Sequence, residues 1–314
     1  LHKLPSCSVR EMVHSCTRMR GLWDPIKFLK CCHGSFVRYY SIKQRTFAVA
    51  SHHNKDLPDY YDTSVQRYAN LEIDRLTITR LLSAGTNLNP EKLIVMAQHV
   101  QREMAIRLAR RLMDMQTLPY IVVANPHIRK VYDLYDRAFH TLISFPKVTN
   151  MKLEAEFLVV VKGLVQEGIQ VVEFLARGMH EARRKIPHVS HGPGLDANQF
   201  LADMIMSRIS RRVICEQYIA LHDDIPGHVG IICTQLSPAE VLQRVVPEAA
   251  LHCQRTFGVV PEVIVEGGRG VTCSNIATHV EYIAFEVLKN AMRAVVERHR
   301  PADTLGPASD FAGL

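Results

Sequence analysis

Three dipeptides mark the starts of long helices and constrain the fold of this chain more than any other feature. They are Asn89-Pro90, Asn125-Pro126 and Ser237-Pro238. In each, a side chain that can accept hydrogen bonds from free backbone N–H groups precedes a proline suited to the first helical position. Apolar residues then recur at spacings of three and four, which is the period of an amphipathic helix. After the first dipeptide they are Leu93, Ala97, Val100, Met104, Leu108 and Leu112.

The same periodicity continues through most of the chain up to residue 221 and predicts a series of helices. Two short patterns come first, at residues 63–70 and 72–82. Four long patterns follow, at residues 90–117, 126–144, 152–186 and 198–221. Because short connections join long helices, an antiparallel four-helix bundle is the natural packing.

The pattern changes after His222. Residues 229–233 and 260–265 are short runs rich in valine and isoleucine, which favour strands, and a predicted helix that starts at Pro238 separates them. Residues 267–270 predict a turn, and Thr278 with Glu281 suggests a capping box for a final helix. The predicted fold is therefore α followed by α/β.

The predicted domains are a basic segment at 1–57, a helical bundle at 58–225 and an incomplete α/β domain at 226–314. Two short strands rarely make a stable sheet, which is why the last domain looks incomplete. Its final 14 residues, after Arg300, carry no helix or strand pattern.

The first 57 residues carry much of the chain's net charge of +7. They are rich in Lys and Arg, and only Glu11, Asp24 and Asp56 are acidic. This composition is typical of a mitochondrial targeting segment, and a disordered basic tail is the alternative. A nucleic-acid-binding protein would more often carry basic stripes on its folded part. The sequence begins at Leu1 rather than at methionine, so we expect a processed chain or a piece of a longer one.

The apolar runs and the cysteines exclude some classes of protein. No apolar run approaches the ~18 residues that span a bilayer, so no transmembrane segment is expected. The eight cysteines include no Cys-x-x-Cys pair, so a zinc site is not expected. They are also too scattered for a disulfide scaffold, which favours a reducing compartment. Cys215, Cys233 and Cys253 lie in apolar surroundings and are predicted to be core residues.

The final helix concentrates polar chemistry on one face. At 100° per residue, an arc of about 100° contains five polar side chains, Tyr282, Glu286, Lys289, Asn290 and Arg293. The opposite side, predicted to face a core, carries Ala284, Val287, Leu288, Ala291 and Val295. A carboxylate and an amide oxygen one turn apart can approach one bound cation or one reacting hydroxyl. A solvated face of an amphipathic helix is the alternative interpretation.

This helix and several stretches before it resemble the mitochondrial 2-oxo acid dehydrogenase kinases. The resemblance covers about residues 62–300 and rests on pieces that occur in the family's order. Those in the helical part are Leu118-Pro119-Tyr120-Ile121, Asn125-Pro126, Tyr135, Arg137-Ala138-Phe139, Phe145-Pro146, Ser207-Arg208-Ile209 and Ile219-Ala220-Leu221-His222. The run from Val229 to Pro238 is similar to the branched-chain member. Tyr282 points the same way, because the pyruvate dehydrogenase kinases usually have histidine at that position.

The resemblance implies a protein serine kinase whose ATP-binding domain has the fold of histidine kinases and Hsp90. It implies that Glu286 is the general base that takes the proton of the acceptor serine. Asn290 would give its amide oxygen to Mg²⁺, which prefers oxygen ligands. Lys289 and Arg293 would lie near the ATP phosphates, and all four residues would belong to the ATP site.

The resemblance also implies partners. The bundle would dock on the lipoyl-bearing core of a 2-oxo acid dehydrogenase complex in the mitochondrial matrix, and the kinase would phosphorylate the decarboxylase subunit and inactivate the complex. The branched-chain complex is favoured and the pyruvate complex is possible. A homodimer is possible, and no nucleic acid is expected.

The sequence departs from the family pattern after Asn290. The family's glycine-rich ATP boxes begin with Asp-x-Gly-x-Gly, and no such pattern occurs in these 314 residues. We therefore expect a chain truncated before those boxes. The alternative to an active kinase is a catalytically inactive binding or dimerisation module of the same family.

Other candidate residues are predicted to be structural. Four histidines on different helices, His99, His140, His180 and His222, are expected to be packed or surface residues. Two basic groups could bind an acidic ligand between the helices, although a solvated face is the favoured interpretation. They are Arg183-Arg184-Lys185 and Arg208 with Arg211-Arg212.

Overall fold

The structure is a computed structural model that describes residues 63–185, 197–268 and 270–299. The chain divides into two compact units. The first, the helical unit, ends at Ile232, and the second, the α/β unit, begins at Cys233. The targeting segment predicted at 1–57 lies outside the described residues, as do residues 186–196 and the residues after His299.

The helical unit follows the predicted pattern of helices. Its α-helices are α1 (Thr63–Ala69), α2 (Ile78–Gly85), α3 (Pro90–Gln116), α4 (Tyr120–Val123), α5 (Pro126–Ser144), α6 (Met151–Glu167), α7 (Val171–Lys185) and α8 (Ala197–Ala220). Asn89 and Asn125 cap α3 and α5 as predicted, and their side chains accept hydrogen bonds from Lys92 N at 2.8 Å and His127 N at 2.9 Å. Asn150 caps α6 in the same way.

One apolar cluster fills the helical unit. Helix α3 lies at its centre and packs against α1, α5, α6 and α8. Phe139, Phe157 and Tyr218 are among the largest fully buried side chains. Burial of such rings supplies much of the apolar surface removed from water on folding.

The predicted helix at 72–82 is wrong in its first half, because α2 begins only at Ile78, where Thr77 caps it. Arginines of α3 bind the backbone carbonyls of the preceding segment instead. Arg110 donates to the carbonyl oxygen of Leu71 at 2.6 Å, and Arg107 donates to that of Asp74 at 2.8 Å. These tertiary contacts satisfy carbonyl groups that a helix would otherwise satisfy internally.

The single helix predicted at 152–186 is also wrong. Helix α6 ends at Glu167, a 3₁₀ turn occupies Gly168–Gln170, and α7 starts at Val171. The Arg208 guanidinium of α8 donates to the carbonyl oxygen of Gly168 at 3.0 Å. A glycine at the break and an external donor for its carbonyl make the interruption favourable.

The remaining elements build a small sheet and a helix pair. They are β1 (His228–Val229), β2 (Ile232–Leu236), α9 (Pro238–Phe257), β3 (Cys273–Asn275) and α10 (Ala277–His299). The strand order is β1-β2-β3, and β2 pairs with β3 in antiparallel fashion, with Cys233 opposite Asn275 and Leu236 opposite Cys273. Ser237 caps α9 as predicted, and this helix runs through Pro247.

The strand predicted at 260–265 is wrong, because the described residues assign no strand there. Exposure still alternates along this segment. Pro261 is buried, Glu262 and Ile264 are exposed, and Val263 packs on the apolar cluster of the α/β unit. The richness in valine and isoleucine that predicted a strand therefore reflects an extended segment packed on the cluster rather than a strand of the sheet. Pro261 has no N–H to donate to a ladder.

The predicted fold class, α followed by α/β, is confirmed. The arrangement of the long helices as a four-helix bundle, the ATPase-type sandwich and the domain boundaries stay predictions. Among the described residues, no helix is both long and apolar enough to cross a membrane.

Candidate functional site

The candidate site lies on α10, which α9 holds in place. An apolar cluster joins the two helices, and its buried members are Leu236, Val241, Val245, Ala249, Cys253, Leu288, Met292 and Val296. Arg244 of α9 also donates to Glu281 of α10 at 2.7 Å. Glu281 is therefore an ion-pair partner, and Thr278 lies inside the helix, so the predicted capping box is wrong.

The buried face of α10 is rotated from the predicted one. Leu288 is buried and Ala284 packs on the cluster, as predicted, but Val287 is 55% exposed. The face that α9 covers carries Phe285, Leu288 and Met292, and Val287 points away from it. Helical periodicity gives the width of an apolar face, whereas the neighbouring helix decides which part of it is covered.

Glu286 and Lys289 lie at the border of the buried face and contact each other. The ammonium Nζ of Lys289 is 2.5 Å from Oε1 of Glu286, and each side chain is 24% exposed. The same Nζ lies 5.5 Å from the centre of the Phe285 ring. The carboxylate is thus neutralised by a cation that an aromatic ring helps to position.

Asn290 and Arg293 are more exposed than the first pair. Asn290 lies on the exposed side of α10, one turn after Glu286. Arg293 donates through Nε to Glu297 at 2.6 Å. The structure therefore brings Glu286 and Lys289 together, while Asn290 and Arg293 lie on the same helix with their side chains directed to solvent or to Glu297.

A buried histidine precedes these residues on the same side of α10. His279 is 4% exposed, and burial lowers its pKa to about 4. Its Nε2 atom has no hydrogen-bond partner among the described residues. His279 lies seven residues before Glu286, a spacing of two turns, so the helix aligns the two side chains.

The sequence interpretation missed the residues that support the site. His252 of α9 packs edge-on against Phe285 with ring centroids 6.0 Å apart. The spacing of Phe285 and Lys289, four residues, could have suggested their contact. No sequence signal links Phe285 to His252, because the contact depends on how α9 packs.

The chemistry of this face suits proton transfer and the binding of a hard cation. A half-buried carboxylate can accept a proton, and an exposed amide oxygen can coordinate Mg²⁺. The described residues contain no group of three or more His, Cys, Asp or Glu side chains placed to hold a metal. This donor set therefore fits Mg²⁺ only if water and phosphate oxygens supply most of its ligands, as is common for that ion.

The basic and histidine candidates of the helical unit have structural contacts. Arg211 stacks over the Tyr135 ring at 4.2 Å and lines a small cavity with Glu167. Arg212 binds Glu216 at 2.5 Å, and Arg183 donates to Asn198. The histidines likewise pair or lie exposed: His99 is 3.7 Å from Asp74, His140 is 3.0 Å from the Asp136 carbonyl oxygen, and His222 contacts Glu154.

Comparisons with known proteins identify relatives over most of the chain. A family model described as mitochondrial branched-chain alpha-ketoacid dehydrogenase kinase matches residues 75–233. The mitochondrial pyruvate dehydrogenase (acetyl-transferring) kinase of Arabidopsis thaliana is 29% identical over 245 residues, which are 77% of this chain and 66% of the relative. Kinase 2 of that name from Saccharomyces cerevisiae is 24% identical over 258 residues, 75% of this chain and 50% of the relative. Isozyme 3 of Mus musculus is 25% identical over 250 residues, 75% of this chain and 59% of the relative.

The matches to the family model and to these relatives identify the family of this chain. The chain belongs to the mitochondrial 2-oxo acid dehydrogenase kinase family. It spans between half and two thirds of the length of the curated relatives described above. The match to the family model ends at Cys233, so α10 and its candidate site lie outside it.

Proposed function

We propose that the protein is a mitochondrial protein serine kinase that phosphorylates and inactivates a 2-oxo acid dehydrogenase complex, with Mg²⁺–ATP as the phosphoryl donor. The observation that carries this proposal is the family match over residues 75–233. The named kinases among its relatives support the reaction, and their names also support the mitochondrial location. We place the protein in the matrix, where its substrate complex would be found.

We further propose the branched-chain complex as the substrate. The description of the matching family model names that complex, and Tyr282 occupies the position where the pyruvate dehydrogenase kinases usually have histidine. The individual relatives are named for pyruvate dehydrogenase, so the pyruvate complex is the competing substrate. The helical unit would dock on the lipoyl-bearing core of the complex, and the protein would form a homodimer.

The proposed reaction assigns roles to the residues of α10. The serine oxygen attacks the γ-phosphorus of ATP, its proton passes to Glu286, and the bond to ADP breaks. Asn290 would give its amide oxygen to Mg²⁺. Lys289 has three N–H donors, so it can retain Glu286 with one and offer the others to phosphate oxygens. Arg293 supplies a second cation to the phosphates.

The substrate is tested by incubating the protein with Mg²⁺–ATP and either purified complex. We expect phosphate to appear on a serine of the decarboxylase subunit, faster in the branched-chain complex than in the pyruvate complex. Faster transfer to the pyruvate complex would overturn the choice of substrate. Absence of transfer to both complexes would overturn the kinase proposal for this chain.

The roles on α10 are tested with two variants and a control. Glu286→Gln should slow transfer by roughly 10²–10⁴-fold, because an amide cannot accept the proton, while Mg²⁺–ATP binding persists. Asn290→Ala should weaken Mg²⁺–ATP binding. Glu248→Gln, which changes an exposed carboxylate of α9, is the matched control and should leave both properties unchanged. An unchanged rate in Glu286→Gln would exclude Glu286 as the base.

A further inference from the structure

Helix α6 has one face that anchors it in the helical unit and an opposite face that is exposed. On the anchoring face, Phe157 is fully buried and packs against the rings of Phe145 and Tyr218, with centroid distances of 5.3 and 5.9 Å. Val161, one turn later, belongs to the same apolar cluster. These contacts fix the rotation of α6 about its axis, so the residues on its opposite side are held toward solvent.

The exposed face of α6 is apolar. Val159 lies at its centre and is 69% exposed. Ala155 and Gly163, each one turn away from Val159, are exposed as well, and so is Met151. At 100° per residue the four residues lie within an arc of about 120° on the side opposite Phe157. A surface helix usually carries charged or polar residues there, so this face has the character of one that another helix covers.

The two small residues beside Val159 allow a close approach. Gly163 has no atom within 4 Å of the position that a Cβ would occupy. Ala155 adds only a methyl group, so the valine side chain stands between two shallow depressions. A helix that carries the same relief can place its own protruding side chain in these depressions, as ridges pack into grooves.

Two charged residues make the face complementary to itself. Lys152 lies seven residues before Val159, Glu167 lies eight residues after it, and both are on the same edge of the exposed arc. Both side chains are exposed, and neither forms an ion pair with another described residue. In an antiparallel pair with a two-fold axis at Val159, positions on one edge at similar distances before and after the axis face each other. Lys152 of each copy therefore meets Glu167 of the other.

The remaining charges of the face fit the same arrangement. Glu156 and Gly163 lie on one edge at similar distances from Val159, so Glu156 faces the glycine of the other copy. Lys162 faces Ala155 of the other copy on the opposite edge for the same reason. Both long side chains can extend past these small residues to solvent. A match of this kind under two-fold symmetry favours a second copy of the chain over an unrelated helix.

We propose that the exposed face of α6 binds the same face of a second copy of this chain, with the two helices antiparallel about a two-fold axis at Val159. The inference rests on the homodimer of the proposed function and gives it an interface, and it does not involve the candidate site on α10. Two helix faces bury less than the roughly 800 Å² per partner of a standard interface. The dimer is therefore reversible and forms in proportion to protein concentration.

Sedimentation velocity of the whole chain over a range of concentrations tests the apolar centre of the interface. The wild type should pass from monomer to dimer as its concentration rises. Val159→Asp should weaken the dimer by at least roughly 100-fold, because two carboxylates would be desolvated against each other at the axis. Val287→Asp, which changes a valine of α10 that is 55% exposed, is the matched control and should leave the dimer unchanged.

Reversal of the bordering charges tests the orientation of the two helices. Lys152→Glu or Glu167→Lys alone should weaken the dimer by roughly tenfold, because like charges then meet in both symmetric pairs. The double variant, Lys152→Glu with Glu167→Lys, should restore the wild-type affinity. The two residues lie about 22 Å apart along one helix, so they cannot pair within a single copy. Restoration therefore reports a contact between two copies.

Three outcomes would overturn the proposal. A dimer that Val159→Asp and the single charge reversals leave intact would exclude α6 as the interface and leave the homodimer itself standing. A wild type that stays monomeric at every concentration would exclude both. A Val159→Asp monomer whose circular dichroism shows a loss of helix would indicate that another segment of the same chain covers this face. Phosphoryl transfer is measured separately, so failure of the dimer and failure of the kinase proposal are distinguishable.

Discussion

At the scale of single residues, His279 shows how burial changes the charge that a side chain can carry. It lies in the first turn of α10 and is only 4% exposed, and this burial lowers its pKa to about 4. The imidazole is therefore neutral in the folded protein at a pH where an exposed histidine, with a pKa of about 6.5, would take up a proton.

Folding should consequently weaken in mild acid because of His279. Below about pH 6.5 the His279 imidazole of the unfolded chain binds a proton, whereas that of the folded chain binds one only below about pH 4. The neutral imidazole therefore costs the folded state nothing above about pH 6.5, and by pH 5 the free energy of unfolding is lower by about 2 kcal/mol. Urea unfolding at pH 7 and pH 5, followed by NMR signals of α9 and α10, measures the loss.

His279→Phe keeps an aromatic ring in the site and removes the titrating imidazole. The decrease in its free energy of unfolding between pH 7 and pH 5 should therefore be smaller than that of the wild type. His180→Gln, which changes an exposed histidine, should behave as the wild type. Equal acid sensitivity of His279→Phe and the wild type would assign the effect to other groups.

At the scale of elements, close helix contacts depend on residues that are small. Gly178 of α7 faces Ile128 of α5, and a Cβ atom placed there would lie 2.7 Å from two atoms of that side chain. Ile128 is buried, so it has little room to move. Gly163 of α6 has no atom within 4 Å of the corresponding position. The two glycines look alike in the sequence, and packing distinguishes them.

Substituting these glycines by alanine should therefore have opposite effects. Gly163→Ala should stabilise the protein by about 0.5–1 kcal/mol, because alanine loses less backbone entropy in a helix. Gly178→Ala has the same advantage in backbone entropy, but its methyl group forces α5 and α7 apart, at a cost of roughly 1–3 kcal/mol. Chemical denaturation of both variants measures the difference, and equal stabilisation by both would contradict the close contact.

At the scale of the whole molecule, each unit has its own apolar cluster. The two clusters share no residue: one joins the helices of the helical unit, and the other joins α9, α10 and β2. Leu142 is fully buried in the first, and Met292 is 2% exposed in the second. A cavity in either cluster removes contacts from that unit first.

Leu142→Ala and Met292→Ala should therefore destabilise different parts of the chain. Each truncation should cost about 2–5 kcal/mol in the unit that contains it. Amide hydrogen exchange measures the result: protection should fall in α5 for the first variant and in α10 for the second. Equal loss of protection in both helices after either substitution would show that the two units open as one.

The order of the helices and most of their starts follow from local chemistry, so the sequence alone determined them. Helix caps such as Asn89, Asn125 and Ser237 depend only on neighbouring residues, since the hydrogen bonds of a cap are made within a few residues. The polar stripe on α10 was visible for the same reason. The resemblance to the kinase family rested on such short pieces in order, and the family match confirmed it.

The tertiary structure decided everything that depends on contacts between distant parts of the chain. Arg110 and Arg208 bind carbonyl groups about 40 residues away and so prevent or interrupt helices that local propensity favours. The covering of α10 by α9 left Val287 exposed and brought Lys289 to Glu286 at the border of the buried face. Glu154 and His222 are 68 residues apart, and no spacing rule relates them. Periodicity describes one element at a time, whereas burial and charge pairing are properties of the surfaces that two elements share.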